Sequence, residues 1–441
     1  MNSKLENAVK EHWDNPLPDI RERDVNIQFS SDLISDVIGP RRAGKTYLMF
    51  HAIKQLRERV PKEAIIYLNF ENRKLMPLQG PMFNDLIEII HAKRLLENHG
   101  NIYLFLDEVQ RVPEWERYIR SIQDEFKGRI KITVSGSTAQ LMNRDVTKLL
   151  TGRHLTTVVL PLSFKEHLAF MGITKEPTTE RTEALVKGAL EEYLTHGGYP
   201  EVVLSKGKEE MLAQLYSDAV ARDVLPRVGS RGSATLSEFS DYLVSNAGNL
   251  LSFGKMSRYF KSVGAPISVP TLIRYFGHLR EAFLVFDVTI YSTRIRDRLQ
   301  YPRKAYCYDT GLANVIGSAG EGARYENAVA AEFVRKGITI HYWKDRAGYE
   351  VDFVVGRMRK TEAIQVCYDI SDPDVRKREL RGLERCMDEL EISEGLVITK
   401  SEEGTADVGG RSVRVVPLWR WLTAGNQIGS KMAITGNSED H

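Results

Sequence analysis

Gly39-Pro40-Arg41-Arg42-Ala43-Gly44-Lys45-Thr46 fills the pattern G-x-x-x-x-G-K-[ST] at every position. Residues 33–38 before it form a short apolar run. After it, Leu48, Ala52, Ile53 and Leu56 recur at helical spacing. Strand, glycine loop and helix are therefore expected in that order. The residue types follow from the task of holding a triphosphate. Several N–H groups must point at one phosphate, and glycines permit the dihedrals and the close approach. The helix N-terminus adds partial positive charge. Residues 39–46 are read as the phosphate cradle, with Lys45 neutralising the β and γ phosphates and the Thr46 hydroxyl binding Mg²⁺. Arg41 and Arg42 are either extra phosphate contacts or solvent-facing.

Working outward, apolar strands at 64–70, 102–106, 130–135 and 155–160 alternate with helices at 46–59, 83–97 and 114–126. That alternation predicts an α/β fold with a parallel sheet covered on both faces. Asp107 and Glu108 end the third strand, where ligands of such sheets bind. Asp107 is placed to hold Mg²⁺ through water, and Glu108 to act as general base on the attacking water. The turn Ser135-Gly136-Ser137-Thr138 ends the next strand, where a polar side chain, with Ser137 favoured, is expected to orient the water or contact the γ-phosphate. Arg153 and Arg222 are the candidates for charge compensation in the transition state, within the subunit or on a neighbour's nucleotide.

Beyond Pro161 the pattern changes to helices at 163–170, 182–195 and 208–225, a helical region over 161–230. Short helices over 250–284, an apolar strand at 283–290, a basic loop (292–304) and a strand at 305–308 follow the order of a winged helix, 231–310. In it, Leu272, Tyr275, Phe276 and Leu279 form the core face of a recognition helix that offers Arg274, His278 and Arg280. Arg294, Arg296, Arg298, Arg303 and Lys304 follow with only Asp297 opposing, a cluster able to neutralise a few phosphates of DNA. The same loop is equally readable as a solvated segment or a protein-docking surface. A second α/β domain, 311–425, is expected from a helix at 325–336, strands at 338–343, 350–355, 363–368, 396–399 and 413–416, and a charged helix at 375–390. A polar tail at 426–441 is expected to be flexible.

Composition bounds the rest. The chain has 441 residues, 42% hydrophobic and 27% charged, and its 61 Lys+Arg against 59 Asp+Glu leave a formal charge of +2. A chain this long accommodates two to four domains, and a histone-like polycation is excluded. Its three cysteines, Cys307, Cys367 and Cys386, contain no C-x-x-C pair, which excludes a cysteine zinc site and fits a reducing cytoplasm. No stretch approaches the roughly 20 apolar residues of a membrane helix, and no signal peptide is read.

These motifs, taken in order, resemble a family of archaeal and bacterial P-loop ATPases of the AAA+ superfamily that carry a C-terminal winged helix and nuclease-like domain. The resemblance runs over roughly residues 20–400. It rests on Arg21-Glu22, GPRRAGKT, YLNFE (67–71), FLDEVQRVPEWE (105–116), SGSTAQL (135–141), LLTGRH (149–154) and LPLSFKEHL (160–168). Further on it includes GGYPEVV (197–203), YDTGLAN (308–314), YENAVAAEF (325–333) and EVDFVV (350–355). It implies an ATPase with Walker A and Walker B strands separated by another strand, a small helical lid, and assembly into rings or other oligomers. Arg153 falls at the family's GR position.

For the last domain the resemblance implies a PD-(D/E)xK fold, whose chemistry needs acids around a divalent ion and a lysine. Glu326 matches the helix acid and Asp352 the strand Asp, with Glu350 on the same face. The third element reads Gln365-Val366-Cys367, so its acid and its lysine are missing. A nuclease-like fold with lost or weakened cleavage is therefore expected.

Overall fold

The computed structural model describes residues 3–29, 33–136, 154–174, 179–317, 319–357 and 360–424. The chain divides into two compact units, Met1–Pro161 and Leu162–His441.

The first unit holds a five-stranded, wholly parallel sheet. Its strands are β1 (Ile34–Ile38), β2 (Ile65–Asn69), β3 (Ile102–Asp107), β4 (Ile130–Ser135) and β5 (His154–Val158), in the order β2-β3-β4-β1-β5. Every residue of β1 is buried, as are all but one each of β3 and β4, because helices cover both faces. The helices are α1 (Ser3–Asp14), α2 (Lys45–Arg57), α3 (Met82–Ala92), α4 (Leu95–His99) and α5 (Trp115–Phe126). The single helix expected over 83–97 is broken at Arg94, which takes a left-handed conformation, φ 50°. Helix α1 was not legible, since it buries only Leu5 and Val9. It is anchored by Trp13, whose indole donates to the Ile65 carbonyl at 2.8 Å. Leu48, Met49, Ile53 and Val37 pack with Phe105 and Val159 beneath the glycine loop.

The second unit begins with α6 (Phe164–Phe170), α7 (Glu180–His196), α8 (Pro200–Leu204) and α9 (Lys208–Ala219). The predicted helix over 208–225 loses its α geometry after Ala219 and passes into a π turn, Val220–Val224, ahead of Pro226. Next come α10 (Ser230–Ser245), β6 (Leu250–Leu251), α11 (Phe253–Ser262), α12 (Val269–Glu281), β7 (Val285–Ile290), α13 (Ile295–Gln300) and β8 (Arg303–Cys307). Leu272, Tyr275, Phe276 and Leu279 are buried, as their spacing on α12 predicts. The expected basic loop differs, because residues 295–300 form helix α13, whose Asp297 accepts from the Ser292 hydroxyl at 2.9 Å. The chain closes with α14 (Glu321–Arg335), β9 (Ile340–Lys344), β10 (Glu350–Arg357), β11 (Lys360–Val366), α15 (Pro373–Glu389), β12 (Gly395–Thr399), β13 (Gly404–Val408), β14 (Arg411–Pro417) and α16 (Leu418–Thr423).

Nine of these strands form one mixed sheet, β13-β14-β12-β11-β10-β9-β7-β8-β6. One sheet therefore runs through both segments that the sequence reading separates at residue 310. The junction is the parallel pairing of Thr289 with His341 and Ile290 with Tyr342. The predicted tail, 426–441, lies outside the described residues.

In the first unit, His12 stacks near Tyr67, with ring centroids 5.4 Å apart. Burial, helped by the Arg57 charge, pulls its imidazole down to about 4. An unfolded histidine takes up its proton near pH 6.5. Between those values the unfolded chain binds more protons, so stability falls as pH falls from about 6.5 toward 4. The loss is on the order of 2 kcal/mol for this half-buried ring. Thermal melts from pH 7 to 4.5 are expected to show wild type losing its advantage over His12→Gln as the pH drops.

Candidate nucleotide site

The glycine loop lies at the carboxyl edge of the parallel sheet and runs from β1 into α2. It is held from two sides. A Cβ on Gly39 would sit 2.1 Å from the Val159 carbonyl oxygen, so the backbone approach there admits only glycine. The buried Arg23 donates to the carbonyls of Ala43 and Leu160, each at 2.9 Å. Arg42 and Gly44 take φ of 61° and 97°, left-handed backbone that the tight turn of the loop uses. Helix α2 has no side-chain cap bond from Gly44 and no acid in its first turn, which suits an anion at its N-terminus. Lys45 is buried, and its ammonium donates to the carbonyls of Gly39 (3.1 Å) and Pro40 (2.9 Å), curled against the glycine loop.

Asp107 ends β3 fully buried. One carboxylate oxygen accepts from the Thr46 hydroxyl at 2.7 Å and the Tyr67 hydroxyl at 2.9 Å. The other accepts from the Ser135 hydroxyl. Ser135 Oγ in turn accepts the Glu108 N–H at 3.1 Å. Glu108 stands in the left-handed region, φ 55°, a conformation costing a non-glycine residue about 1 kcal/mol. Its carboxylate accepts from the Gln110 amide at 2.5 Å. Burial, reinforced by the Asp107 charge, pushes the Tyr67 phenol far above its usual range, so it remains a donor at any working pH.

Thr46 and Asp107 together present a hydroxyl and a carboxylate, the hard oxygen donors that Mg²⁺ takes alongside phosphate oxygens. The residues present fit the ion, which when bound neutralises charge between the β and γ phosphates. Sequence reasoning found Thr46, Asp107 and Glu108 but missed Ser135, Tyr67 and Arg23. Ser135 lies in the quoted SGST turn, two residues before the expected Ser137. The alternation of β4 would have pointed to it as the residue carried at the strand's end.

The other expected residues are distributed differently. Ser137 and Arg153 lie outside the described residues. Arg222 belongs to the C-terminal unit, is 63% exposed, and stands 3.9 Å from Asp218. Arg41 is half-buried and Arg42 exposed. On α12, Arg274 is exposed over the Tyr275 ring, while Arg280 pairs with Asp287 at 3.0 Å. Arg294 and Arg296 are exposed and Arg298 is half-buried. The basic cluster is smaller than its sequence suggests. Asp287 also opposes it by taking Arg303 at 2.7 Å, and Lys304 is turned inward, 4% exposed. Glu326, Glu350 and Asp352 do converge, and they converge on Lys304.

Residues 32–168 match a family model described as an AAA domain. In this the first unit resembles a P-loop AAA domain, with β4 lying between the strand of the glycine loop and the strand of Asp107. Residues 187–321 and 321–421 match two models, each described as a domain of unknown function. An uncharacterized protein of Methanocaldococcus jannaschii is 29% identical over 415 residues, 90% of each chain. An uncharacterized protein of Haemophilus influenzae is 29% identical over 354 residues, covering 78% of this chain and 85% of that one. Among solved structures, a Walker-type ATPase of Pyrococcus abyssi is similar at 14% identity and TM-score 0.38, over 72% of this chain and 95% of that one. RuvB of Thermotoga maritima is similar at 17% identity and TM-score 0.22, over 61% and 87%. Among the described residues, no helix is long and apolar enough to cross a membrane.

Tyr67→Phe deletes one of three hydroxyls that fix the Asp107 carboxylate and leaves the phosphate cradle untouched. A fall in kcat of roughly 3- to 10-fold is expected, the loss of about 1 kcal/mol of positioning. Fluorescent ATP-analogue titration should show affinity changed less than twofold.

Proposed function

We propose that this chain binds and hydrolyses MgATP and uses the cycle to move its C-terminal region. The observation that supports the reading best is Asp107, held buried by Thr46, Tyr67 and Ser135 beside a complete glycine loop. In this reading the amides of residues 39–46 and the Lys45 ammonium hold the triphosphate. Glu108 takes a proton from the attacking water. Glu108 has a left-handed backbone, and its N–H is held by the Ser135 hydroxyl. Arg153 and Arg222 stay the candidates for the arginine that completes the charge balance, in the same subunit or from a neighbour in an oligomer.

For the output, our first reading is DNA, contacted by Arg274 on α12, by Arg294 just before α13 and by Arg296 and Arg298 on α13, in a winged-helix arrangement. Little or no nuclease activity accompanies it. A second reading, a protein partner docked on the same surface, is favoured by one observation. Ile295, Leu299 and Tyr301 are 70%, 68% and 53% exposed among those arginines, an apolar content that phosphate binding does not call for. DNA that stimulates turnover, with binding that weakens steeply between 50 and 200 mM salt (order-of-magnitude range), supports the first reading. Salt-insensitive complexes with protein and no effect of DNA support the second.

Steady-state assays provide the test of the core proposal. Lys45→Ala is expected to abolish detectable nucleotide binding by calorimetry. Glu108→Gln is expected to keep binding while turnover falls by about a hundredfold or more. Wild-type protein that takes up no ATP in the presence of Mg²⁺ overturns the reading.

A further inference from the structure

The acids of the C-terminal sheet face an ammonium. Lys304 on β8 places its Nζ 2.8 Å from Glu326 Oε1, 2.7 Å from Glu350 Oε1 and 2.9 Å from Asp352 Oδ1. An ammonium has three N–H donors, and here each has one carboxylate. Two of the three remaining oxygens are also engaged. Asp352 Oδ2 accepts the Val366 N–H at 3.0 Å, and Glu350 Oε2 accepts from Lys344 at 2.8 Å. Glu326 Oε1 takes a second donor, the Tyr306 hydroxyl, at 2.5 Å. Gln365, at the position where the resemblance would have an acid, accepts the Asp352 N–H at 3.3 Å and donates to Glu379 at 2.7 Å.

A divalent cation does not fit this arrangement. It would need several of the same oxygens at about 2.0–2.6 Å with lone pairs to spare. It would also have to share their centre with a positive charge. Among the described residues, no group of three or more His, Cys, Asp or Glu is arranged to hold a metal ion. The charges already come close to balance, three carboxylates against Lys304 and Lys344. Burial, then the neighbouring Asp352 charge, raises the Glu326 carboxyl, which moves the sum further toward neutrality. Burial alone would discharge Lys304, yet the carboxylates of Asp352, Glu326 and Glu350 outweigh it and hold the ammonium protonated.

We infer that Lys304 stands in place of a divalent cation, turning a nuclease-like acid cluster into an internal salt cluster that ties β8 to α14 and β10. The pocket then contributes to folding instead of cleavage, and it does so whether or not the chain turns over ATP. The lysine missing from the E-x-K position is thus replaced in space by one from a different strand, but it sits among the acids and fills the position a metal would need.

The full chain without nucleotide provides the test. Titration of Mn²⁺ followed by electron paramagnetic resonance is expected to give the same uptake for wild type and Asp352→Asn. Lys304→Met is expected to lower the unfolding midpoint of the C-terminal unit by roughly 5–10 °C. Millimolar Mn²⁺ is expected to restore part of that loss in the variant and to leave wild type unmoved. Asp352-dependent Mn²⁺ uptake by wild type, or metal-dependent DNA cleavage lost in Asp352→Ala, overturns the inference. So does a Lys304→Met variant that keeps wild-type stability or that gains nothing from Mn²⁺. If that variant does not fold, the wild-type and Asp352→Asn titrations still decide.

Discussion

A carboxylate removed from water at the edge of a parallel sheet must be surrounded by donors or it will not stay charged. Asp107 meets that requirement with hydroxyls from three different elements: Thr46 from α2, Tyr67 from β2 and Ser135 from β4. The same bonds that satisfy the charge fix where the glycine loop, the second strand and the fourth strand end relative to one another. Glu108 inherits its position from this arrangement through the Ser135 hydroxyl. The glycine loop and the Glu108 carboxylate are thus both positioned by one buried acid.

The second unit shows the complementary case. Its buried acids are satisfied by an ammonium and by backbone N–H groups. Asp309 receives the N–H groups of Gly198 and Gly311 at 2.7 and 3.0 Å. Burial still pushes that carboxyl up to about 6. The GGYP and YDTGLAN segments, separated by about a hundred residues of sequence, meet at this side chain, since a Cβ on Gly197 would overlap its carboxylate. Buried acids therefore serve as joints in both units, with different donors supplying the counter-charge.

Much of the first unit was legible because a parallel sheet buries both faces of its strands, which makes each an apolar run between polar helices. Its loop motif is legible because triphosphate geometry leaves few residue choices. What escaped the sequence did so for identifiable reasons. Helix α1 buries two side chains and gives little periodicity. The π turn at Val220–Val224 and the short helix at Ile295–Gln300 are set by local bonds and not by pattern. Lys304 read as one more cation of a basic loop because its β8 position is separated in sequence from all three acids it neutralises. Arg303, its neighbour, alternates to the opposite side and finds Asp287. Adjacent residues on a strand face opposite ways, so a run of like charges need not form one patch.

The pairing of Thr289 and Ile290 with His341 and Tyr342 has a practical meaning for anyone dividing this chain. A cut near residue 310 would separate β7 from β9 and leave each fragment with an unprotected row of N–H and C=O groups. Fragments of that kind pair with copies of themselves and aggregate. It would also strand an ammonium on one fragment and its three carboxylates on the other. Soluble pieces are to be sought by cutting at the boundary after Pro161, where no strand ladder is broken.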